Sequence, residues 1–434
     1  MSESSRITLT TIHRGTQETH STLPDNEVSS NPFGRMKEFL FAQALLIPLL
    51  AAVVGSCRGS STEPSATGLR ERWYQAQPGA SRSRPAINGS MVYFGTGDGQ
   101  IIARDINSGA QLWAAKVSQE AMEGANLIVR ANVVVGASVF HTTGLDAQTG
   151  RELWRYQSPK DTVGNPPASA SPGSLIDSQI DADNDMVYIP AWGASVSAID
   201  LRTGAVRWVW RPGIIAGDTA SSGVFRSGSM GLRVSGDTVF STVWHATNRA
   251  GGTSEAWLIA LDRNSGGEFW RVRMPFQGSG VVIEAAPALY QNLVIVHTLS
   301  ARTYAIDRST QQIAWEFTAP GYTWSTLAAP EVSGEIVYVD GGDGQIYALR
   351  AADGTIVWKG MFGSATGGDL LVTDRHIIFP TGAELHILDR QTGNQLVVAV
   401  QPHTSDPLFA SPAASANGLV FITVGDAALC FEEP

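Results

Sequence analysis

The chain has 434 residues, of which 43% are hydrophobic and 16% are charged, so it can bury the large core of a globular protein. Its 45 Gly and 21 Pro residues favour many short strands joined by turns over long helices. The net charge of -10 gives no broad positive field, which excludes nucleic acid as the expected partner.

The first 57 residues fall into two segments. Residues 1–35 are polar, and we expect them to be a disordered extension or a stretch upstream of the start that the cell uses. Residues 36–57 begin with a basic residue, continue as an apolar run and end with small residues before Cys57. This order resembles a bacterial lipoprotein signal, in which the cysteine is acylated and becomes the new N-terminus.

A single transmembrane anchor is the alternative interpretation of the apolar run, since residues 39–57 are uncharged and approach the length of a membrane span. Gln43, Pro48 and the small residues before Cys57 favour processing as a signal. Cys57 is then the predicted lipidation site, and Cys430 has no other cysteine to pair with. Residues 58–67 are rich in Ser and Thr, with one Gly and one Pro, and are predicted to form a flexible tether.

Residues 68–434 are repetitive. Each unit contains short alternating runs typical of strands, a turn usually of the Thr-Gly or Ser-Gly type, and a Trp eight residues after an Asp. Seven units share this register, with Arg350 replacing one Asp and Val397 replacing one Trp: 105–113, 146–154, 200–208, 262–270, 307–315, 350–358 and 389–397. The spacing leaves room for four short strands with their turns in each unit.

The two ends of the repeat region complete an eighth unit. The last 26 residues, 409–434, contain opening strands but no Trp, whereas Trp73 lies on a strand that no other strand precedes. We therefore predict an all-β, eight-bladed β-propeller of four-stranded antiparallel blades, whose last blade combines the N- and C-terminal strands. This closure removes the edge-pairing hazard of an open array.

The repeated Trp is predicted to close the seam between neighbouring blades. The turn Gly supplies a positive φ, and the preceding Asp can accept hydrogen bonds from turn amides. Burial of the ring against the next blade contributes on the order of 4 to 6 kcal/mol before entropy. The predicted docking residues are Trp73, Trp113, Trp154, Trp208, Trp270, Trp315 and Trp358.

These units resemble the tryptophan-docking repeats of the pyrroloquinoline quinone (PQQ) propeller superfamily, most closely at residues 89–113 and 334–358. Both stretches contain GDGQI, which we predict to be a hairpin tip between the second and third strands of a blade. In the superfamily, dehydrogenases hold PQQ and calcium on the propeller axis. BamB-like lipoproteins are small eight-bladed propellers, tethered to the outer membrane, that help to assemble β-barrels. A lipid signal followed almost at once by the propeller is similar to the BamB-like branch.

No motif predicts a catalytic or metal site. The chain has no vicinal cysteine pair of the kind that many quinone-dependent dehydrogenases carry. The stretch DADNDM at 181–186 imitates an EF-hand, but Met186 and Trp192 stand where such a loop needs Gly and Glu, so a turn is predicted. The histidines lack zinc spacing. We expect no cofactor, with PQQ and calcium as the less favoured alternative.

The longest repeat intervals add sequence mainly to one face of the predicted ring. Loops on a rigid scaffold commonly carry function, and exposed Trp, Tyr and Arg dominate protein interfaces. The alternative is that several of these aromatic residues only cover loop bases. The predicted partner-binding rim consists of Trp192, Arg226, Trp244, His245, Arg249, Tyr322 and Trp324.

The sequence therefore predicts an exported, lipid-anchored binding scaffold at the periplasmic face of the outer membrane, with no enzymatic activity. Arg58 agrees with this location, because it is not the Asp that signals inner-membrane retention in enteric bacteria. The resemblance implies a role in outer-membrane β-barrel assembly, with a subunit of the assembly machine as partner. The alternatives are a PQQ- and calcium-dependent dehydrogenase and a propeller that senses a ligand for another envelope protein.

Overall fold

A computed structural model describes most of the repeat region: 69–81, 83–119, 122, 126–138, 141–158, 179–191, 195–211, 226–246, 254–275, 283, 285–321, 328–362, 369–381, 384–400, 411 and 413–434. The predicted extension, signal with Cys57, and tether lie outside these residues. Within the described ranges no helix has the length and apolar character to span a membrane.

The described residues form eight four-stranded antiparallel sheets, which confirms the predicted all-β, eight-bladed propeller. In chain order the strands begin with β1 (Glu71–Ala76), followed by blade 1 with β2 (Ala86–Asn88), β3 (Met91–Gly95), β4 (Gln100–Asp105) and β5 (Gln111–Lys116). Blade 2 contains β6 (Ile128–Arg130), β7 (Val133–Ala137), β8 (His141–Asp146) and β9 (Glu152–Gln157). Blade 3 contains β10 (Asp181–Ala182), β11 (Met186–Ala191), β12 (Ser195–Asp200) and β13 (Val206–Trp210).

The second half of the ring repeats this order. Blade 4 contains β14 (Arg226–Ser235), β15 (Thr238–Ala246), β16 (Ser254–Asp262) and β17 (Glu268–Arg273). Blade 5 contains β18 (Ala288–Tyr290), β19 (Leu293–His297), β20 (Arg302–Asp307) and β21 (Ile313–Thr318). Blade 6 contains β22 (Glu331–Ser333), β23 (Ile336–Asp340), β24 (Gln345–Arg350) and β25 (Ile356–Met361). Blade 7 contains β26 (Leu371–Val372), β27 (His376–Thr381), β28 (Glu384–Asp389) and β29 (Gln395–Val400).

Blade 8 closes the ring with strands from both ends of the chain. It contains β30 (Ala414–Ala416), β31 (Leu419–Val424) and β32 (Ala427–Glu432), with β1 paired to the outer side of β32. Trp73 pairs with Cys430 in this ladder, and Arg72 forms a 2.8 Å ion pair with Glu432. The predicted sharing of the last blade is therefore confirmed.

The antiparallel order defines two faces of the ring. In blades 1–7 the chain runs from the innermost to the outermost strand, so the first and third turns of a blade lie on one face. We call this the corner face, because it carries the Thr-Gly type turns. The second hairpin of each blade and the links to the next blade lie on the opposite face, which we call the connection face.

In six of the described blades the corner is held by an Asp at the end of the third strand. In blade 3, Asp200 Oδ1 accepts hydrogen bonds from the amide of Arg202 at 3.1 Å and from the amide and hydroxyl of Thr203 at 2.9 and 2.8 Å. Arg207 pairs with the other carboxylate oxygen at 2.6 Å. Chiefly through Arg207, these contacts lower the pKa of Asp200 to about 2. Related carboxylate contacts recur at Asp105, Asp146, Asp262, Asp307 and Asp389.

We expect acid to weaken these corners. An unfolded Asp has a pKa of about 3.9, whereas that of folded Asp200 is about 2. The contribution of the ionised Asp200 carboxylate to the free energy of unfolding is therefore complete above about pH 4, and it is lost as the pH falls toward about 2. Asp200→Asn should therefore lose stability at pH 7 and differ less from the parent near pH 2.5, as measured by urea unfolding. Exposed Asp374, changed to Asn, is the control; a loss in Asp200→Asn that does not shrink on acidification contradicts this expectation.

Six tryptophan rings lie across a seam against the corner glycine of the next blade. Trp154 of blade 2 donates its indole N–H to the carbonyl of Leu201 at 2.8 Å, and its ring covers Gly204, whose φ is +69°. A Cβ on Gly204 would lie 2.7 Å from Trp154. The six pairs are Trp73 with Gly109, Trp113 with Gly150, Trp154 with Gly204, Trp208 with Gly266, Trp315 with Gly354 and Trp358 with Gly393.

Two seams depart from this pattern. The corner of blade 5, which follows Trp270, carries Gln311 in place of the glycine, with a φ of +60°. At the seam between blades 7 and 8, Val397 stands in place of the Trp and packs partly buried against a cluster that includes Ile387 and Phe431.

Candidate functional site

Most of the predicted rim lies where side chains are not described. Trp192, Arg249, Tyr322 and Trp324 are outside the described residues. Arg226 and His245 are described by their backbones alone: they lie on β14 and β15, where Arg226 pairs with Ala246 and Ser227 with His245. These residues remain predicted partner contacts.

Trp244 is buried, which corrects the expectation that it is an exposed rim residue. Its exposed fraction is 2%, and it belongs to a cluster with Leu258 and Met274. The inserted sequence extends the second hairpin of blade 4, since β15 and β16 have nine residues each and Trp244 pairs with Ala256. A longer ladder carries the indole into the core, where its apolar area is removed from water.

The DADNDM stretch forms a turn that also joins two blades. Asp183 accepts hydrogen bonds from the amides of Asp185 and Met186, each at 2.8 Å. Arg263 of blade 4 donates to the same carboxylate at 2.7 Å. Burial opposes ionisation of Asp183, but these donors outweigh it and lower the pKa. In the described part of the chain no group of three or more His, Cys, Asp or Glu is arranged to hold a metal ion.

Both GDGQI stretches are hairpin tips between the second and third strands, as predicted. The first joins β3 to β4, and Thr96 donates to Asp98 at 2.6 Å within the turn. The second joins β23 to β24, and Tyr347 donates to Asp343 at 2.6 Å. Their carboxylates therefore stabilise the turns.

A hydrogen bond crosses the bore of the ring near its connection face. Gln179 precedes β10 in blade 3 and Asp369 precedes β26 in blade 7, so they come from opposite sides of the ring. The amide of Gln179 donates to Asp369 Oδ2 at 3.0 Å. Backbone amides supply the other contacts: Ala286 N donates to Gln179 Oε1 and Ala329 N to Asp369 Oδ1, each at 2.7 Å. We call these two side chains the axial pair.

Charged groups from other blades lie near Asp369 of the axial pair. Arg84 of blade 1 approaches Glu331 of blade 6 at 3.6 Å, with side-chain exposed fractions of 26% and 25%, and it also donates to the carbonyl of Ala413. Arg233 of blade 4 donates to the carbonyl of Pro287 at 3.4 Å. Burial raises the pKa of the Glu331 carboxyl, and the charges of Arg84 and Arg233 oppose that shift.

The described bore residues do not fit a calcium-bound quinone. Both oxygens of Asp369 already accept hydrogen bonds, and the Glu331 carboxylate faces a guanidinium. A calcium site needs six to eight oxygen ligands, and breaking the paired contacts would leave buried donors unsatisfied.

No sequence motif singles out the bore residues. Two residues before the inner strands of blades 5 and 6 stand Ala286 and Ala329, whereas the same position holds Arg84, Gln179 and Asp369 in blades 1, 3 and 7. Polar residues at a position that holds Ala in other blades are the feature of the sequence that could have indicated a polar site in the bore. The contact between Gln179 and Asp369 could not be predicted, because it forms only when the ring of blades is closed.

The family described as "Outer membrane protein assembly factor BamB" matches this chain at residues 53–253 and 254–432. A relative of that name in Yersinia pestis is 23% identical over 228 residues, which are 51% of this chain and 52% of the relative. Another, in Moranella endobia, is 30% identical over 132 residues, 28% of this chain and 31% of the relative. The chain thus matches about half, or less, of these relatives' length.

Solved structures show the same architecture. The computationally designed Ika8 protein has a TM-score of 0.61 at 16% identity, covering 83% of this chain and 98% of its own. A europium-containing methanol dehydrogenase has a TM-score of 0.64 at 13% identity, covering 85% of this chain and 94% of its own. At these identities the likeness shows the fold alone.

Proposed function

Since this chain belongs to the family of the outer membrane protein assembly factor BamB, we propose that it is a protein-binding scaffold in the assembly of outer-membrane β-barrel proteins. The observation that carries the proposal is the extent of the match, since residues 53–253 and 254–432 together include all eight blades. The partner is a protein of the cell envelope that belongs to the assembly machinery.

The proposed docking surface is the connection face. The described strands lead into the blade links and the second hairpins at this face, and the backbones of Arg226 and His245 from the predicted rim lie at the strand ends there. The axial pair supports a scaffold role, because it joins two opposite blades across the bore. Rigid platforms reduce the ordering cost of binding.

The proposed location follows from the same role. Acylation at Cys57 would anchor the protein at the periplasmic face of the outer membrane, and residues 58–67 would tether the propeller to the lipid. We propose no catalytic activity and no bound cofactor. Support for this comes from the bore, whose described acidic groups are engaged by amides or guanidinium groups.

Paired photo-cross-linkers test the docking face. Gln119 lies in the link after β5 on the connection face, and Gln148 lies in the blade 2 corner on the opposite face; both are exposed glutamines. With benzoylphenylalanine at each position in turn, residue 119 should capture an envelope protein and residue 148 should not. Capture from residue 148 with none from residue 119 would overturn the proposed face. Pro320 and Ala352, also exposed and on opposite faces, form a second pair.

A further inference from the structure

Most exposed apolar side chains lie at one end of the outermost strands. Among the described residues eight large hydrophobic side chains are exposed, and seven of them are the first or second residue of an outermost strand. These seven directly follow the third turn of a blade and so lie at the corner face. We call them the apolar belt: Leu112 in blade 1, Val206 in blade 3, Phe269 in blade 4, Ile313 in blade 5, residues 356 and 357 in blade 6, and Leu396 in blade 7.

The belt follows the perimeter of the corner face. It has members in six blades, with exposed fractions of 36 to 52%, and the polar turns of the corners lie beside them. A protein partner usually buries its apolar contacts at the centre of one patch, inside a polar rim. Apolar side chains spread around a whole face instead match a broad surface that offers apolar and polar groups together, as the boundary between headgroups and acyl chains of a bilayer does.

The charges beside the belt do not oppose contact with lipid. Asp200 pairs with Arg207 at 2.6 Å, and Glu268 pairs with Arg271 at 2.5 Å. The other turns of the corner face carry exposed charges of both signs, so this face has no strong field of one sign. The apolar side chains, and not a net charge, therefore decide what this face binds.

The chain leaves the ring at the same face. β1 is antiparallel to β32, and its first residue, Glu71, lies opposite Phe431 at the corner-face end. Only residues 58–68 separate Cys57 from Leu69, the first described residue. A flexible chain of this length spans about 17 to 20 Å on average. An acyl group on Cys57 would therefore hold the corner face, and not the connection face, near the bilayer.

We propose that the apolar belt lies on the surface of a lipid bilayer, so that the corner face is turned to the membrane and the connection face to the periplasm. The belt side chains enter the headgroup region, while the blades stay outside the hydrocarbon. This inference rests on the proposed acylation of Cys57 and not on the identity of the assembly partner, to which it leaves the connection face open.

Two nitroxide labels on one strand test this orientation. Val357 and Met361 are 49% and 65% exposed and lie at the corner-face and connection-face ends of β25. Each is changed to Cys in turn in the acylated full-length protein, in which Cys430 is buried and escapes labelling. In phosphatidylcholine vesicles, we expect collisions of the label at 357 with an aqueous nickel chelate to fall about fivefold relative to the Cys57→Ala protein in solution. Collisions of the label at 361 should change less than about twofold.

The outcomes separate this inference from the anchor. Equal shielding at the two positions, or shielding of residue 361 alone, would overturn the proposed orientation and leave the anchor intact. Protein that does not float with the vesicles would overturn the orientation together with acylation of Cys57. Shielding of residue 357 that rises with protein concentration in the absence of vesicles would assign the belt to a second copy of this chain and contradict the proposal.

Charges placed in the belt give an independent test. Phe269→Asp combined with Leu396→Asp should return the label at 357 to within about twofold of its access in solution, because a carboxylate is costly to bury at the interface. Both side chains are about half exposed, so we expect this variant to fold, as circular dichroism will check. Gln119→Asp combined with Met361→Asp, on the connection face, is the control. Unchanged shielding of residue 357 in the belt variant would show that the belt does not make the contact.

Discussion

Replacing Trp154 with Ala is expected to lower the free energy of unfolding by about 3 to 5 kcal/mol. The ring is 6% exposed, covers Gly204 of the next blade and donates to the carbonyl of Leu201 at 2.8 Å. Its removal leaves a cavity across a seam and an acceptor without its donor, and both effects destabilise the folded state. Urea unfolding followed by circular dichroism measures the loss.

Trp270→Ala is the matched control. Trp270 occupies the same register in blade 4 but is only partly buried and makes no indole hydrogen bond among the described residues. We expect this variant to lose about 1 to 2 kcal/mol, because less apolar area is removed from water in the parent. Equal losses at the two positions would show that contact with the corner glycine contributes little.

Gly204→Ala is expected to destabilise the fold by about 2 to 4 kcal/mol, although it adds a single methyl group. The added Cβ would lie 2.7 Å from Trp154, and the residue has a φ of +69°. The left-handed backbone costs roughly 1 to 2 kcal/mol for a residue other than Gly, and displacement of the ring adds an overpacking cost of similar size.

Gly236→Ala separates these two costs. Gly236 has a φ of +62°, but an added Cβ there meets nothing within 4 Å. It should therefore lose only about 1 to 2 kcal/mol, from backbone strain alone. Equal losses for Gly204→Ala and Gly236→Ala in urea unfolding would contradict the argument that each corner is glycine because an indole covers it.

The eight-bladed propeller could be predicted from the sequence because the interactions that form each blade are local and repeat along the chain. The eight-residue interval from Asp to Trp indicates a turn and an outer strand in each unit. The strand of Trp73 has no partner near it in sequence, and it pairs with the strand of Cys430 at the other end of the chain. The same register shows that blade 5 lacks its corner glycine. That an indole ring packs on the corner glycine in six seams is seen only in the contacts of the folded ring.

The candidate site was less predictable, because its geometry depends on contacts between distant blades. Trp244 was expected at the rim, but two long strands pair beyond the usual blade length and bury it. The axial pair joins residues 190 positions apart, Gln179 and Asp369, and alternation within a strand carries no information on such a contact. The described structure thus supplies the bore contacts, while the repeat alone predicted the seven tryptophan positions, six of which pack on a corner glycine.

The most direct test of the scaffold proposal is the identity of the protein captured in living cells by a photo-cross-linker at residue 119. We expect mass spectrometry to find a subunit of the outer-membrane assembly machinery, captured from this connection-face position and absent when the cross-linker replaces Gln148. Capture of a soluble enzyme alone, or equal capture from both positions, would contradict a scaffold that binds its partner through the connection face.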